Sequence, residues 1–208
     1  MPKRQLRKDY LKARKSISPA DAKLAAVKAA DNFLEAISLK NAGIIASYLP
    51  IHGEISPLPL LDKITALASA KKKKMIYALP TIQSRNSHLL FHEWKPGDKL
   101  KSSAIYPQLP EVEAQGQPII PDIIIVPLVG FDENCHRMGY GGGFYDRTIQ
   151  EIRELRKRQV NEGGAYPLMV GYAHESQKSA SPLPVSQYDM QLDFVVTDKH
   201  IYSKDRSR

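Results

Sequence analysis

The segment DIIIVPLVGFDENCHRMGYGGGFYDR, residues 122–147, carries the strongest fold signal in the chain. Its first ten residues, 122–131, are nearly all apolar, which is typical of a strand covered on both faces. Four of the five positions 139–143 are glycine, and residues 144–159 then have the spacing of an amphipathic helix. This order predicts a parallel α/β unit, with a loop whose backbone another group approaches closely.

The same alternation of strands and helices continues through the rest of the chain. Helices are predicted at residues 3–15, 19–39 and 56–74; strands at 43–50, 75–82, 88–94, 166–173 and 191–198; and a loop at 101–121. The inward side of the second helix is predicted to carry Leu24, Val27, Phe33, Leu34 and Ile37. We therefore expect an α/β layer fold with a largely parallel sheet, in which residues 1–200 form a single domain and 201–208 a flexible tail.

The composition argues against several classes of protein. One cysteine in 208 residues rules out an internal disulfide and fits a reducing compartment, and no apolar run approaches the roughly 20 residues of a membrane span. The basic N-terminus lacks the apolar segment of a secretory signal, so a cytoplasmic location is expected. The net charge of +8 favours anionic partners. However, no nucleic-acid-binding signature accompanies the scattered basic residues, and residues 71–74, KKKK, suit a solvated helix end.

The glycine-rich loop has the setting of a phosphate-binding site. Bare N–H groups of residues 139–143 and the positive end of the following helix dipole can converge on an anion. Arg137 can fork onto phosphate oxygens, and Asp146 can hold Mg²⁺ against them. The loop matches neither the Walker A nor the dinucleotide pattern, because Phe144 replaces the lysine of the first and the third glycine of the second. A tight packing turn and a helix-capping role for Asp146 are the structural alternatives.

Residues 122–147 resemble the signature of the 5-formyltetrahydrofolate cyclo-ligases, also called methenyltetrahydrofolate synthetases. Weaker likenesses to that family extend over about residues 3 to 198, in KRQLR (3–7), ASYLPIHGEISP (46–57), HEWKPGDKL (92–100) and LPVSQYDMQLDFVVTD (183–198). The resemblance implies a three-layer α/β/α domain with a mixed, mostly parallel sheet. It also implies an ATP- and Mg²⁺-dependent enzyme that converts 5-formyltetrahydrofolate to 5,10-methenyltetrahydrofolate and releases ADP and phosphate.

The resemblance further implies roles for particular residues. ATP is expected to contact Lys3, Arg7, Arg137, Met138, Gly139, Tyr140, Gly141, Gly142, Gly143, Phe144 and Tyr145. The folate is expected to contact Leu49, Glu54, Tyr140, Gly141, Gly142, Gly143 and Phe144. Glu54 would accept hydrogen bonds from the pterin, and Asp146 and Asp189 would hold Mg²⁺. The expected partners are ATP and 5-formyltetrahydrofolate, with or without a polyglutamate tail, and the expected state is a monomer.

The glycine loop departs from part of the family, because Tyr140 and Gly142 stand where some members have a basic residue. Lys3, Arg7 and Arg137 are therefore the cations expected at the phosphates. Two other functions stay open on the residues alone. One is a phosphate-binding enzyme of a related layered fold, such as a sugar-phosphate isomerase or a CoA-transferase-like protein. The other is a basic module that binds nucleic acid.

Overall fold

The computed structural model describes residues 3–114, 116–158 and 167–204 of the chain. The helices are α1 (Lys3–Lys15), α2 (Pro19–Ala36), α3 (Leu58–Ala70) and α4 (Phe144–Arg158). The strands are β1 (Ile44–Ala46), β2 (Ile76–Ile82), β3 (Leu89–Trp94), β4 (Leu100–Ser102), β5 (Pro110–Val112), β6 (Ile123–Pro127), β7 (Gly130–Phe131), β8 (Arg137–Met138), β9 (Leu168–Ala173), β10 (Phe194–Thr197) and β11 (Ile201–Ser203).

Within these residues, seven strands form a central sheet in the spatial order β11-β10-β9-β6-β1-β2-β3. The four neighbouring pairs between β10 and β2 are parallel, whereas the edge strands β3 and β11 run antiparallel to their neighbours. The expectation of a mixed, mostly parallel sheet is confirmed. The remaining strands form two ribbons, β4 with β5 and β7 with β8.

The side chains of β6 explain why the chain forms three layers. Ile123 and Ile125 belong to one apolar core together with α2 and α3. Ile124 and Val126 belong to a second core together with α4. Successive side chains of a strand face opposite sides of the sheet, so the continuous apolar run is covered on both faces, as predicted. Each such side chain contributes about 1.5–3 kcal/mol when it is fully buried.

The predicted strand at residues 122–131 is divided in two, so this part of the prediction is wrong. β6 ends at Pro127, whose ring nitrogen has no hydrogen to donate to the sheet. Gly130 and Phe131 pair instead with Arg137 and Met138 in a separate antiparallel ribbon. The chain therefore leaves the central sheet before it reaches the glycine loop, and the ribbon sets the position at which that loop begins.

The segment predicted as a loop, residues 101–121, contains the hairpin formed by β4 and β5. The hairpin is attached to the sheet, because the Ile82 N–H donates to the Glu111 carboxylate at 2.9 Å. Val112 packs in the same apolar core as Trp94 of β3. The strands of the hairpin have three residues each, which is too short for a clear alternation of apolar and polar side chains.

The prediction of a flexible tail at residues 201–208 is wrong for its first part, because Ile201–Ser203 form β11 and pair with β10. Residues 205–208 lie outside the described part of the chain. The same holds for residue 159 of the predicted helix and residue 166 of the predicted strand.

The inward side of α2 is formed mainly by alanine, so the predicted apolar stripe is partly wrong. Phe33 and Ile37 are buried as expected, but Leu24 and Val27 are exposed. The buried small residues are Ala25, Ala26, Ala29 and Ala30. Small side chains let the helix lie close to the sheet. No helix in the described ranges, α2 included, is long and apolar enough to cross a membrane.

Residues 71–74 follow α3 instead of forming its last turn, because the helix ends at Ala70. The ammonium of Lys73 donates to the carbonyl oxygens of Leu39 and Lys40, at 2.7 and 2.9 Å. Lys73 therefore links the segments that follow α2 and α3, whereas the other three lysines are exposed as predicted.

We expect Gly130→Ala to destabilise the contact between α1 and β7. A Cβ atom at position 130 would stand 2.7 Å from a ring carbon of Tyr10 on α1. The ring must then shift, which lowers the free energy of unfolding by about 1–3 kcal/mol. Urea unfolding measures this loss. Gly43→Ala is the matched control, because its Cβ would meet no atom closer than 3.7 Å; equal stabilities of the two variants would contradict the prediction.

Candidate active site

A cavity of about 1030 Å³ lies at the carboxyl ends of the parallel strands β1 and β6. This edge is where open α/β sheets place their ligands. Its walls come from α1, the segment that follows β1, the β4–β5 hairpin, the glycine loop with the start of α4, and residues 188–189. Elements that are distant in the sequence therefore surround one space.

Two arginines bind the carbonyl groups of the glycine loop. Arg7 donates from Nε to the Gly139 carbonyl at 2.8 Å, and Arg147 donates from Nη2 to the Gly142 carbonyl at 2.9 Å. Between described residues, no hydrogen bond uses a backbone N–H of residues 139–143 as its donor. These N–H groups precede the positive end of α4, so the loop can bind an anion.

Two of the glycines have a backbone conformation that other residues rarely adopt. Gly141 and Gly143 have φ angles of 101° and 68°. A Cβ at Gly142 would stand 2.9 Å from the Phe144 ring. The shape of the loop therefore requires glycine at residues 141–143, apart from any ligand, whereas a Cβ at Gly139 would meet no atom within 4 Å.

Both acids that are predicted to hold Mg²⁺ accept hydrogen bonds from backbone N–H groups of the segment 186–190. Asp146 Oδ1 accepts from Arg137 Nη2 at 2.8 Å and from the Met190 N–H at 2.9 Å. Asp189 Oδ2 accepts from Lys3 Nζ at 2.5 Å and from the Ser186 N–H at 2.6 Å. Each carboxylate is therefore already paired with a cation.

Burial and hydrogen bonding shift the pKa values of Asp189 and Arg137. Burial opposes ionisation of Asp189, but the hydrogen bonds from Lys3 and Ser186 outweigh it and lower the pKa of this carboxyl. Burial lowers the pKa of the Arg137 guanidinium, although Asp146 opposes the change. Among the described residues, no group of three or more His, Cys, Asp or Glu side chains is arranged to hold a metal ion.

Glu54 also lines the cavity, and both of its oxygens accept hydrogen bonds. Oε2 accepts from the Ile51 N–H at 2.9 Å, and Oε1 accepts from the Tyr140 hydroxyl at 3.0 Å. Burial raises the pKa of this carboxyl to about 6, while the two hydrogen bonds and Arg14 oppose the rise. Glu54 is therefore a buried acid whose pKa lies above the usual range of a carboxyl group.

Two aromatic rings, those of Tyr106 and Phe144, also line the cavity. Phe144 contacts Tyr106 edge to face, with 5.8 Å between ring centroids. The Arg147 guanidinium lies over the Phe144 ring at 5.0 Å. Tyr106 belongs to the hairpin, so this hairpin forms part of the cavity wall.

The structure brings all the predicted site residues to this cavity. They are Lys3, Arg7, Leu49, Glu54, Arg137, Met138, Gly139, Tyr140, Gly141, Gly142, Gly143, Phe144, Tyr145, Asp146 and Asp189. Met138 is the buried one among the apolar and aromatic members, and burial raises the pKa of the Tyr145 hydroxyl well above its usual value. The roles of these residues stay predictions.

Sequence reasoning missed Arg14, Arg147 and Tyr106. Arg14 had a usable signal, because Lys3, Arg7 and Arg14 are spaced along one side of a helix. Arg147 directly follows Asp146 and lies one helical turn after Gly143, whose carbonyl accepts from the Arg147 N–H. Tyr106 carried no signal, because the hairpin was predicted as a loop.

Known proteins resemble this chain over nearly its whole length. The model of the 5-formyltetrahydrofolate cyclo-ligase family matches residues 1–198. The 5-formyltetrahydrofolate cyclo-ligase of Escherichia coli is 28% identical over 194 residues, which cover 91% of this chain and 96% of the relative. That of Haemophilus influenzae is 29% identical over 195 residues, which cover 91% and 94%. The solved structure of Aquifex aeolicus 5,10-methenyltetrahydrofolate synthetase has a TM-score of 0.76, at 25% identity, and covers 100% of this chain and 95% of its own.

These matches confirm the resemblance seen in the glycine-rich segment and the expected class of enzyme. They also extend beyond that segment to the opening helix and the last strands of the sheet, so the likeness is not confined to one motif. The family model spans both walls of the cavity, and the solved relative has a similar fold over the full chain. This chain therefore belongs to the 5-formyltetrahydrofolate cyclo-ligase family.

Proposed function

We propose that the protein cyclises 5-formyltetrahydrofolate to 5,10-methenyltetrahydrofolate, with ATP as phosphoryl donor and Mg²⁺ as cofactor. The observation that carries this proposal is the glycine loop. Its carbonyl groups are bound by arginines, its N–H groups have no acceptor among the described residues, and it lines a cavity large enough for two substrates. The family match favours this reaction over an ATP-independent phosphate enzyme or a nucleic-acid-binding module.

The phosphates of ATP would lie on the glycine loop. The backbone N–H groups of residues 139–143 would donate to phosphate oxygens, and the dipole of α4 would favour their charge. Lys3 and Arg7 extend from α1 to this region, and Arg137 lies beside the start of α4. Phosphoryl transfer depends mainly on positioning and on neutralising charge, and these groups supply both.

Asp146 and Asp189 suit Mg²⁺ by their chemistry, because both are carboxylates and lie at the cavity beside the glycine loop. Two carboxylates are a common protein share of a Mg²⁺ site, in which phosphate oxygens and water complete the coordination. A bound Mg²⁺ would neutralise charge that develops on the transferred phosphoryl group. Lys3 and Arg137, which pair with these acids in the structure, would then be released toward the phosphates.

The reaction needs a better leaving group than a formamide oxygen. In the first step the formyl oxygen of the folate bonds to the γ-phosphorus of ATP, and the bond between that phosphorus and ADP breaks. The neighbouring amine then bonds to the activated formyl carbon. Phosphate leaves with the electron pair of its C–O bond, and the proton of the amine is lost to water. The products are methenyltetrahydrofolate, ADP and phosphate.

The pterin of the folate would bind at the Glu54 wall. A carboxylate accepts well from the adjacent N–H groups of a guanidine-like edge, and Glu54 keeps lone pairs beyond its bonds to Ile51 and Tyr140. Leu49, Tyr140 and Phe144 would contact the flat rings. This arrangement leaves the formyl group between Glu54 and the phosphates.

Several further expectations belong to the same proposal. The positive net charge suits both ATP and a folate with one or more glutamates. A monomeric state, a cytoplasmic location, and the absence of nucleic-acid or membrane partners stay predictions.

The first test is the reaction itself. Methenyltetrahydrofolate absorbs in the near ultraviolet, where 5-formyltetrahydrofolate is nearly transparent. We expect the absorbance to rise only when 5-formyltetrahydrofolate, ATP and Mg²⁺ are all present. A rise that continues without ATP, or no rise in the complete mixture, would contradict the proposal.

The second test concerns the metal. We expect Asp146→Asn to lower turnover by about 100-fold or more, because a neutral amide binds Mg²⁺ more weakly while it can still accept from Arg137 and Met190. The Kd of 5-formyltetrahydrofolate, measured by calorimetry, should change little. Glu35→Gln, an exposed change on α2, is the matched control for loss of charge. Unchanged turnover in Asp146→Asn would remove this residue from the metal site.

A further inference from the structure

Arg14 is a buried cation to which the proposed chemistry assigns no role. Its residue is 2% exposed, and no described residue forms a salt bridge with it. Its guanidinium donates to three neutral oxygens: the carbonyls of His52 and Leu128, at 3.1 and 3.2 Å, and the hydroxyl of Tyr140, at 2.5 Å. A buried charge is costly to keep, so the position of Arg14 beside Tyr140 calls for a function.

The hydrogen bond from Arg14 decides which neighbour receives the phenolic proton of Tyr140. An arginine can only donate, so the oxygen of Tyr140 must accept from Arg14. The single phenolic proton is then left for the other neighbour of that oxygen, which is Glu54 Oε1 at 3.0 Å. The result is a directed chain of hydrogen bonds from Arg14 through Tyr140 to Glu54.

This chain also spans three parts of the fold. Arg14 lies on α1, Tyr140 in the glycine loop, and Glu54 in the segment after β1. The second carboxylate oxygen is held by the Ile51 N–H, so both oxygens of Glu54 have a fixed donor. Glu54 thus has a single orientation, with its remaining lone pairs available at the cavity.

We propose that Arg14 is a positioning residue for folate binding, which acts through the Tyr140 hydroxyl to hold the Glu54 carboxylate in the orientation that receives the pterin. This inference rests on the proposed role of Glu54 in binding folate. Arg14 itself does not touch the substrate in this arrangement. Tyr140 has two functions, because its ring lines the cavity while its hydroxyl transmits the constraint.

The groups around Glu54 shift its pKa, so we expect the effect of losing Arg14 or Tyr140 on folate binding to depend on pH. The titratable groups that face Glu54, Tyr140 or Arg14 come from every adjoining element, and they are Tyr48, His52, Tyr145 and His174. Burial raises the pKa of Glu54 to about 6, and Arg14 and Tyr140 both oppose that rise. Loss of either partner therefore moves this pKa further upward, so that less carboxylate is present near pH 7.

Two variants test the proposal. Tyr140→Phe removes the hydroxyl and keeps the ring, and Arg14→Lys keeps the charge but lacks the planar fork that serves three acceptors. We expect each to raise the Kd and the KM for 5-formyltetrahydrofolate by about ten-fold at pH 6.5, which is the scale of one hydrogen bond to a charged group. In Tyr140→Phe the loss should shrink toward pH 8.5, where Glu54 is ionised without help; in Arg14→Lys it should depend less on pH, because lysine keeps the charge that lowers the Glu54 pKa. The KM for ATP should change much less.

The controls separate this role from a purely structural one. Lys15→Ala removes a neighbouring, exposed charge from the same helix and should match the unaltered protein. Tyr140 is 41% exposed, so Tyr140→Phe should fold even if Arg14→Lys does not. A folate Kd that is unchanged in Tyr140→Phe, or raised equally at all pH values, would overturn the proposal. Calorimetric binding does not need turnover, so an inactive but folate-binding protein would contradict the proposed reaction and leave this inference intact.

Discussion

The site depends on how the peptide groups of the glycine loop are turned. Arg7 and Arg147 bind the carbonyls of Gly139 and Gly142 from two different helices. In a trans peptide the N–H points away from the carbonyl of the same unit, so each arginine also directs an N–H group away from itself. A Cβ at Gly142 would crowd Phe144, and Gly141 and Gly143 have positive φ angles, which is why this orientation of the loop needs glycine at residues 141–143. These two bonds therefore tie α1 and α4 to the glycine loop that lines the cavity.

The charged groups of the cavity are arranged in pairs that are complete without a ligand. Arg137 holds Asp146, and Lys3 holds Asp189. Such pairing keeps two acids close together without strong mutual repulsion, and it fixes the side chains before substrates arrive. Glu54 is different, because its hydrogen-bond donors are a backbone N–H and a phenol, and Arg14, the cation that lowers its pKa, donates to Tyr140 and forms no salt bridge with Glu54. The two groups of residues therefore differ in electrostatic character: one contains two ion pairs, and the other contains a buried carboxylate held by neutral donors.

The features that could be predicted from the sequence were those with local signals. The apolar run of β6, the glycines and the acidic first turn of α4 can each be recognised from a few consecutive residues. The break after Pro127 could not be predicted, because it depends on the pairing of Gly130 with Met138 across the turn between them. Arg14 was missed because its burial is decided by α1 packing against the loop, and lysines and arginines on a helix are usually solvated. The exposed positions of Leu24 and Val27 likewise result from how α2 packs, since hydrophobicity alone would place them inside.

The burial of Trp94 has a practical consequence. Trp94 is the single tryptophan of the chain, and it is packed with Val112 of the hairpin that brings Tyr106 to the cavity. Its indole N–H has no hydrogen-bond partner among the described residues, so its surroundings are apolar. Any displacement of the hairpin alters those surroundings and hence the wavelength and intensity of the light that the indole emits. The chain thus contains a built-in fluorescent reporter beside its substrate cavity, and no dye or label has to be attached.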